Sequence, residues 1–235
     1  MSITTIYAKP KVGKTTLALK GAPKGKTVVL SSDQGLVGID TTGIQIEEDV
    51  SIRNLRKLIK NPAFTRSNER IVVDTATSLY AEMLSEIAGG GSPALQHRGT
   101  ANNEFALLLR GLRNSKKEII ILAQEKMVMP TEDWVSDDDD EDITASVTAD
   151  LPQGPHNILM QMSDAIGRLY VANVNDKMVR RLWLTPTPNI VAGTRSRTYD
   201  GNPPYLKAPT MARLNDLLGW GPGKSPRRGG IIKKH

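Results

Sequence analysis

The stretch that decides the fold of this chain is AKPKVGKTT, residues 8–16. It follows the short β-branched run ITTIY and precedes LALK, which has the composition of a helix. It matches the spacing of a phosphate-binding loop, except that Ala8 stands where the pattern has its first glycine. A tight loop between a strand and a helix points backbone N–H groups at a phosphate chain. The sequence therefore predicts a nucleotide-binding P-loop.

Each residue of this loop has a predicted role. Lys14 is expected to reach the β- and γ-phosphates of ATP, and the Thr15 hydroxyl to coordinate Mg²⁺. The predicted nucleotide-binding residues are Lys11, Val12, Gly13, Lys14, Thr15 and Thr16. A chance Gly-Lys-Thr at a helix start is the alternative reading, and the strand before the loop argues against it.

Beyond the loop, strand-like and helix-like patterns alternate. Apolar runs at 27–32, 71–74 and 118–123 predict strands, and apolar residues at helical spacing lie between them. Such alternation predicts an α/β fold with a mainly parallel sheet and helices on both faces. Ligands of these sheets bind at the carboxyl ends of the strands.

Three polar residues end predicted strands and are candidates for that edge. Asp74 suits a Mg²⁺-bound water, although a strand-end Asp can also be a helix N-cap. Asp33 is a candidate to orient and deprotonate the attacking water, or is a turn residue before Gly35. Gln124 is a candidate sensor of the γ-phosphate, or a solvated strand end.

Several cations are further candidates. Arg195 and Arg197 form a pair that can stabilise a transferring phosphate, often in a neighbouring subunit's site, or they lie in a solvated basic turn. His97 and Arg98 are candidate nucleic-acid contacts in a glycine-rich loop, where a surface role is the plainer reading. The tail 222–235 is Gly-, Pro- and Lys/Arg-rich, and we expect it to be disordered.

Composition narrows the class of protein. The 235 residues contain no cysteine, which excludes disulfides, thiolate metal sites and a cysteine nucleophile. No signal peptide pattern is found, and no apolar run approaches the ~18 residues that span a bilayer. These features predict a cytoplasmic protein with no membrane partner.

The net charge of +6 reflects the tail, whose cations are Lys224, Arg227, Arg228, Lys233 and Lys234. The acidic run 137–142 lacks the spacing of a calcium loop, so a solvated loop is expected.

Taken in order, these features resemble the RecA-like phage recombinases, and more narrowly the short phage ATPases described as single-strand annealing proteins. The resemblance rests on the P-loop near the N-terminus, the acid after the second strand, and VVDT at 72–75 before a helix. It also rests on Arg98-Gly99 before a helix, on AQE at 123–125 and on the 195–197 pair. It covers about residues 1–220, and Ala8, Gln124 and Arg195 depart from the family pattern.

The resemblance implies a RecA-like P-loop NTPase core at 1–221, and ATP-dependent binding of single-stranded DNA in recombination or replication. It further implies a homo-oligomeric ring or filament with ATP at subunit interfaces, in the cytoplasm of the host if a phage encodes the chain. It places DNA against the loops 89–102 and 126–155, the second beginning with Lys126. The basic tail is expected to add phosphate contacts, and a single-strand DNA-binding protein is a further candidate partner.

Three rival functions fit parts of the pattern. A ParA-type partitioning ATPase would explain Lys9, but it has Gly-Gly where this chain has Pro10-Lys11. A small-molecule kinase would need an acceptor pocket that the sequence does not indicate. A non-catalytic nucleotide switch that regulates a replication partner remains open.

Overall fold

The computed structural model of the chain describes residues 2–33, 35–129 and 145–220. The strands are β1 (Ser2–Ala8), β2 (Thr27–Ser31), β3 (Gln45–Glu47), β4 (Arg70–Asp74), β5 (Glu118–Val128), β6 (Ser146–Ala149), β7 (Ala165–Val174), β8 (Lys177–Trp183), β9 (Gly193–Thr194) and β10 (Tyr205–Lys207). The helices are α1 (Lys14–Leu19), α2 (Ile52–Lys60), α3 (Pro62–Ser67), α4 (Ala76–Ile87), α5 (Leu95–Asn114), α6 (Gln153–Met162) and α7 (Met211–Leu217).

The strands of the described residues form one sheet in the order β10-β8-β7-β1-β5-β4-β2-β3. From β7 to β3 every neighbouring pair is parallel. β8, β10, β6 and β9 join by antiparallel pairing. The predicted α/β class with a mainly parallel sheet is therefore confirmed.

Helices cover both faces of the sheet because its central strands are apolar on both sides. In β4, Ile71 and Val73 belong to the core beneath α2, α4, α5 and α6. Val72, between them, belongs to the core beneath α1 and α7. Successive side chains of a strand point to opposite faces, and a sheet buried on both faces has continuous apolar strands.

The register of the central strands brings the predicted site residues to one edge. β5 lies between the P-loop strand β1 and β4. Ala8 at the end of β1 pairs with Gln124 of β5. Ser31 at the end of β2 pairs with Asp74 at the end of β4. The carboxyl ends of the four strands thus form one continuous edge.

The prediction of a loop over 89–102 is wrong beyond Ala94. The glycine turn is present, with positive φ at Gly89 and Gly90, but α5 begins at Leu95. His97 and Arg98 therefore lie in the first turn of a helix. An exposed Gly99 weakens a helix by about 1 kcal/mol. The buried residues that follow, such as Phe105, offset this cost by packing α5 onto the sheet.

The prediction of an irregular segment over 126–155 is also wrong at both ends. β5 continues to Val128 because β6 pairs with it, with Lys126 opposite Thr148. α6 begins at Gln153, and Pro155 is tolerated since it lies in the first helical turn. The acidic run 137–142 and the tail 222–235 lie outside the described residues. Within the described ranges, no helix is both long and apolar enough to span a bilayer.

Candidate nucleotide site

The P-loop has the backbone shape that its sequence predicts. Lys11 and Gly13 have positive φ values of 63° and 102°, and α1 begins at the next residue, Lys14. Ala8 is the last residue of β1, where a strand conformation admits alanine as readily as glycine. The substitution in the motif is therefore compatible with the loop, since the special backbone angles fall at residues 11 and 13.

Lys14 is a buried cation at the centre of the loop, 6% exposed. Its ammonium donates hydrogen bonds to the carbonyls of Ala8 and Lys9, at 3.1 and 3.3 Å, and to Gln124 Oε1 at 3.1 Å. Burial lowers the pKa of Lys14, while the charges of Asp74, Asp33 and Glu125 oppose that shift. The neighbouring carboxylates thus favour the charged form that phosphate binding requires.

Thr15 and Asp74 are in direct contact. The Thr15 hydroxyl donates a 2.7 Å hydrogen bond to Asp74 Oδ2, although the two residues come from different elements. Asp74 is 2% exposed, and Thr75 caps α4 by accepting from Ser78 N, so Asp74 is not the N-cap residue. Hydroxyl and carboxylate oxygens are the donors that Mg²⁺ prefers, and these two fit that ion.

Asp33 contributes negative charge at the same edge. It follows β2, and its Oδ1 accepts a 3.0 Å hydrogen bond from Gly35 N, which is a turn contact. Burial raises the pKa of the Asp74 carboxyl and the charge of Asp33 adds to the rise, while the Thr15 hydrogen bond and Lys14 lower it. Asp33 also raises the pKa of Glu82 of α4, after burial as the larger cause. Glu82 is thus an acid within the electrostatic influence of Asp33 that the sequence patterns did not indicate.

Gln124 connects the P-loop to the segment that follows β6. Its side chain accepts from Lys14, and its backbone N–H donates to Thr77 Oγ1 of α4 at 3.0 Å. Its carbonyl accepts from Asp150 N at 2.7 Å. A displacement of Lys14 toward a phosphate would therefore act directly on the residue that anchors the β5–β6 pair.

A half-buried ion pair lies next to this site. Glu125 accepts two hydrogen bonds from Arg168 of β7, at 2.8 and 3.0 Å. The pair spans β1, which lies between β5 and β7, and Tyr7 of β1 packs beside it. Sequence reasoning did not assign Arg168, because nothing in a strand pattern shows which strand lies two positions away in the sheet.

A large cavity adjoins the P-loop on the side of α1. Its volume is about 1010 Å³, and its walls are α1, the β7–β8 hairpin and residues 207–210. Among the described residues, apolar side chains such as Leu17 and Pro209 share these walls with five cations and no acid. The cations are Lys20, Lys177, Arg180, Arg181 and Lys207. This arrangement suits an organic anion with an apolar part, such as a nucleotide.

The predicted arginine pair lies far from the P-loop of its own chain. β9 pairs with the amino end of β7 and Arg195 lies level with Asp164 and Ile3, so Arg195 is about 17 Å along the sheet from Ala8. Arg195 Nη2 donates to the Gln161 carbonyl at 2.7 Å, and its guanidinium lies 3.7 Å from Asp164. A role for Arg195 and Arg197 in a neighbouring subunit's site stays a prediction.

The predicted DNA contacts are dispersed among three places. His97 and Arg98 lie at the start of α5. The Lys126 ammonium donates to the Leu151 carbonyl, which ties β5 to the segment before α6. The tail cations fall outside the described residues. Among the described residues, no group of three or more His, Asp or Glu side chains could hold a metal ion on its own.

The fold and the site together define a P-loop nucleotide-binding protein with an α/β NTPase core. The chain belongs to the family described as AAA domain, whose pattern matches residues 3–196. No curated protein matches the sequence.

The comparison with solved structures includes two similar chains. One is a KaiC-like protein from the hyperthermophilic archaeon Pyrococcus horikoshii OT3, with 13% identity, a TM-score of 0.46 and 77% of each chain covered. The other is the flagellar accessory protein FlaH from Methanocaldococcus jannaschii, with 14% identity and a TM-score of 0.43, covering 77% of this chain and 76% of the other.

Proposed function

We propose that this protein is an ATPase that binds single-stranded DNA in a nucleotide-dependent way, as a recombination or annealing factor acting in phage DNA recombination or replication. The observation that carries the proposal is the contact of Lys14 with Gln124, whose backbone is joined to the β5–β6 pair. Gln124 contacts both the P-loop lysine and the β5–β6 pair. It can therefore transmit the nucleotide state to a DNA-binding surface on that pair of strands.

ATP binds with its phosphates on the P-loop and its base and ribose in the adjoining cavity. Backbone N–H groups of the loop and the Lys14 ammonium hold the phosphates. Thr15 and Asp74 would hold Mg²⁺, which would neutralise negative charge on the phosphates. The apolar wall of the cavity covers the base, and its cations attract the negatively charged phosphate chain.

Asp33 orients the attacking water and accepts its proton, since it lies at the carboxyl edge beside Asp74. Arg195 and Arg197 complete the site of a neighbouring subunit in a homo-oligomeric ring or filament. Such a protein acts in the cytoplasm. The basic tail adds sequence-independent phosphate contacts, and a single-strand DNA-binding protein is a natural partner on the same strand.

The proposal is tested with a labelled single-stranded oligonucleotide. We expect a non-hydrolysable ATP analogue with Mg²⁺ to increase DNA affinity, and the oligonucleotide to stimulate ATP hydrolysis. Deleting 222–235 should flatten the salt dependence by up to about 3.5 in log–log slope, taking ~0.7 per engaged cation on a single strand. The increase caused by the ATP analogue should survive the deletion. ATP binding without DNA binding in any nucleotide state would refute the DNA function and favour a nucleotide switch.

A further inference from the structure

Arg180 of β8 lies against the P-loop, 168 residues from it in sequence. Its Nε donates a 2.8 Å hydrogen bond to the Val12 carbonyl. Its guanidinium covers Gly13 so closely that a Cβ at Gly13 would lie 3.1–3.2 Å from Arg180 atoms. The side chain therefore reaches the loop from the opposite wall of the cavity.

The framework that holds Arg180 is continuous with the P-loop strand. β8 pairs with β7, which pairs in turn with β1. The Arg180 carbonyl also accepts from Ala208 N at 3.2 Å, which joins β8 to the third wall of the cavity. The base of the side chain is thus fixed on two sides, while the guanidinium is exposed toward the cavity.

The guanidinium has donors left for a ligand. In the described part of the chain, Nε has the Val12 carbonyl as partner, and no hydrogen bond or ion pair engages either Nη atom. Within the described ranges, no carboxylate lines the cavity to neutralise the charge. A planar fork with Nη donors beside a phosphate-binding loop has the geometry for charge-assisted hydrogen bonds to a phosphate.

We propose that Arg180 is a nucleotide-binding residue that contacts the phosphate chain of the nucleotide held by its own subunit, while its Nε holds the P-loop carbonyl. The assignment rests on the proposed binding of ATP at this loop. It gives the β7–β8 hairpin a place in the site, and it accounts for an arginine at this position. A lysine has one ammonium and cannot hold the carbonyl and a phosphate with the same fixed geometry.

The test compares three proteins with wild type: Arg180→Ala, Arg180→Gln and the control Arg53→Ala. The control removes an exposed arginine of α2, which packs on the opposite face of the sheet from α1 and the cavity. Glutamine keeps a donor for the Val12 carbonyl and loses the charge, so it separates a phosphate contact from a loop clamp. Titration calorimetry with the ATP analogue, ADP and adenosine measures the dependence on phosphates.

We expect both Arg180 variants to bind the ATP analogue and ADP about tenfold more weakly, with adenosine binding unchanged and Arg53→Ala within about twofold of wild type. The loss should shrink at high salt, because a charge contact is screened. Wild-type affinity in Arg180→Gln, or an equal loss for adenosine, would overturn the phosphate contact. If wild type itself bound no nucleotide, both the proposed function and the assignment of Arg180 would be refuted. Arg180 is exposed, and thermal melting of each variant confirms that it is folded.

Discussion

The Lys14 ammonium and the Gln124 side-chain carbonyl, 110 residues apart, are joined by a 3.1 Å hydrogen bond at the carboxyl edge of the sheet. The contact exists because β1 and β5 are neighbours in register, with Ala8 opposite Gln124. The Gln124 side-chain oxygen is an uncharged acceptor for the Lys14 ammonium. A phosphate oxygen of the nucleotide would compete with it for that ammonium.

Lys14→Ala should weaken binding of the ATP analogue by at least about tenfold, which corresponds to ~1.4 kcal/mol. The reason is the loss of the charge that faces the β- and γ-phosphates, with the loop backbone left in place. Titration calorimetry measures the change. Lys60→Ala, which removes an exposed cation at the end of α2, is the control and should bind as wild type does. Normal nucleotide binding by a folded Lys14→Ala protein would refute the P-loop assignment.

Gln124→Ala should bind the ATP analogue normally and lose the effect of that analogue on DNA affinity. The backbone hydrogen bonds of Gln124 to Thr77 and Asp150 survive the substitution, so β5 and β6 stay paired while the link to Lys14 is cut. Anisotropy of a labelled oligonucleotide, with and without the analogue, gives the answer. A variant that keeps the full increase in DNA affinity would rule out this route.

Asp74→Asn should stabilise the protein at pH 7, and the gain should disappear toward pH 4. Burial raises the pKa of Asp74, and Asp33 adds to the rise. The folded state therefore holds the proton more tightly than the unfolded chain, whose carboxyl titrates near pH ~4. Ionisation of the buried Asp74 carboxyl lowers the free energy of unfolding of the wild-type protein. This loss is absent below the unfolded pKa and grows as the pH rises through the folded pKa. Unfolding in guanidinium chloride at pH 4 and pH 7 measures the difference in stability between wild type and Asp74→Asn. Asp216→Asn, which changes an exposed carboxyl, is the control. An equal difference at both pH values would contradict the linkage.

Arg197→Ala should retain nucleotide binding and lose hydrolysis if the pair acts in a neighbouring site. Mixing it with Lys14→Ala should then restore part of the activity, because a mixed interface can contain one intact site. Native mass spectrometry must first show that the two variants assemble together. Co-assembled mixtures that stay inactive would argue against action between subunits.

Arg168→Ala should destabilise the protein by about 3–5 kcal/mol, because it leaves the Glu125 carboxylate buried without its partner. The Glu125 side chain is 5% exposed and that of Arg168 is 23% exposed. The matched control is Lys26→Ala, whose pair with Glu69 is 58% and 53% exposed and should be worth less than about 1 kcal/mol. Denaturant unfolding of both variants compares the two pairs. Similar losses for the two would mean that burial does not set the value of the Glu125 pair.

Local patterns in the sequence determined the class of this protein and the order of its main elements. The P-loop and the apolar runs before Asp74 and Gln124 are features of neighbouring residues. Their physical causes act over a few residues, so they can be recognised without the fold. The alternation of strands and helices is also a local pattern, and it predicted that the nucleotide site lies at the carboxyl ends of the strands.

Only the tertiary structure decided which distant residues meet there. The β5–β6 pairing, the Glu125–Arg168 ion pair across β1 and the reach of Arg180 to Val12 depend on strand order and register. These contacts join residues far apart in sequence, and their free energy comes from burial and pairing that exist only once the sheet is assembled. The helical start of α5 at Leu95 was decided in the same way, since packing of its buried face overrides the local weakness at Gly99.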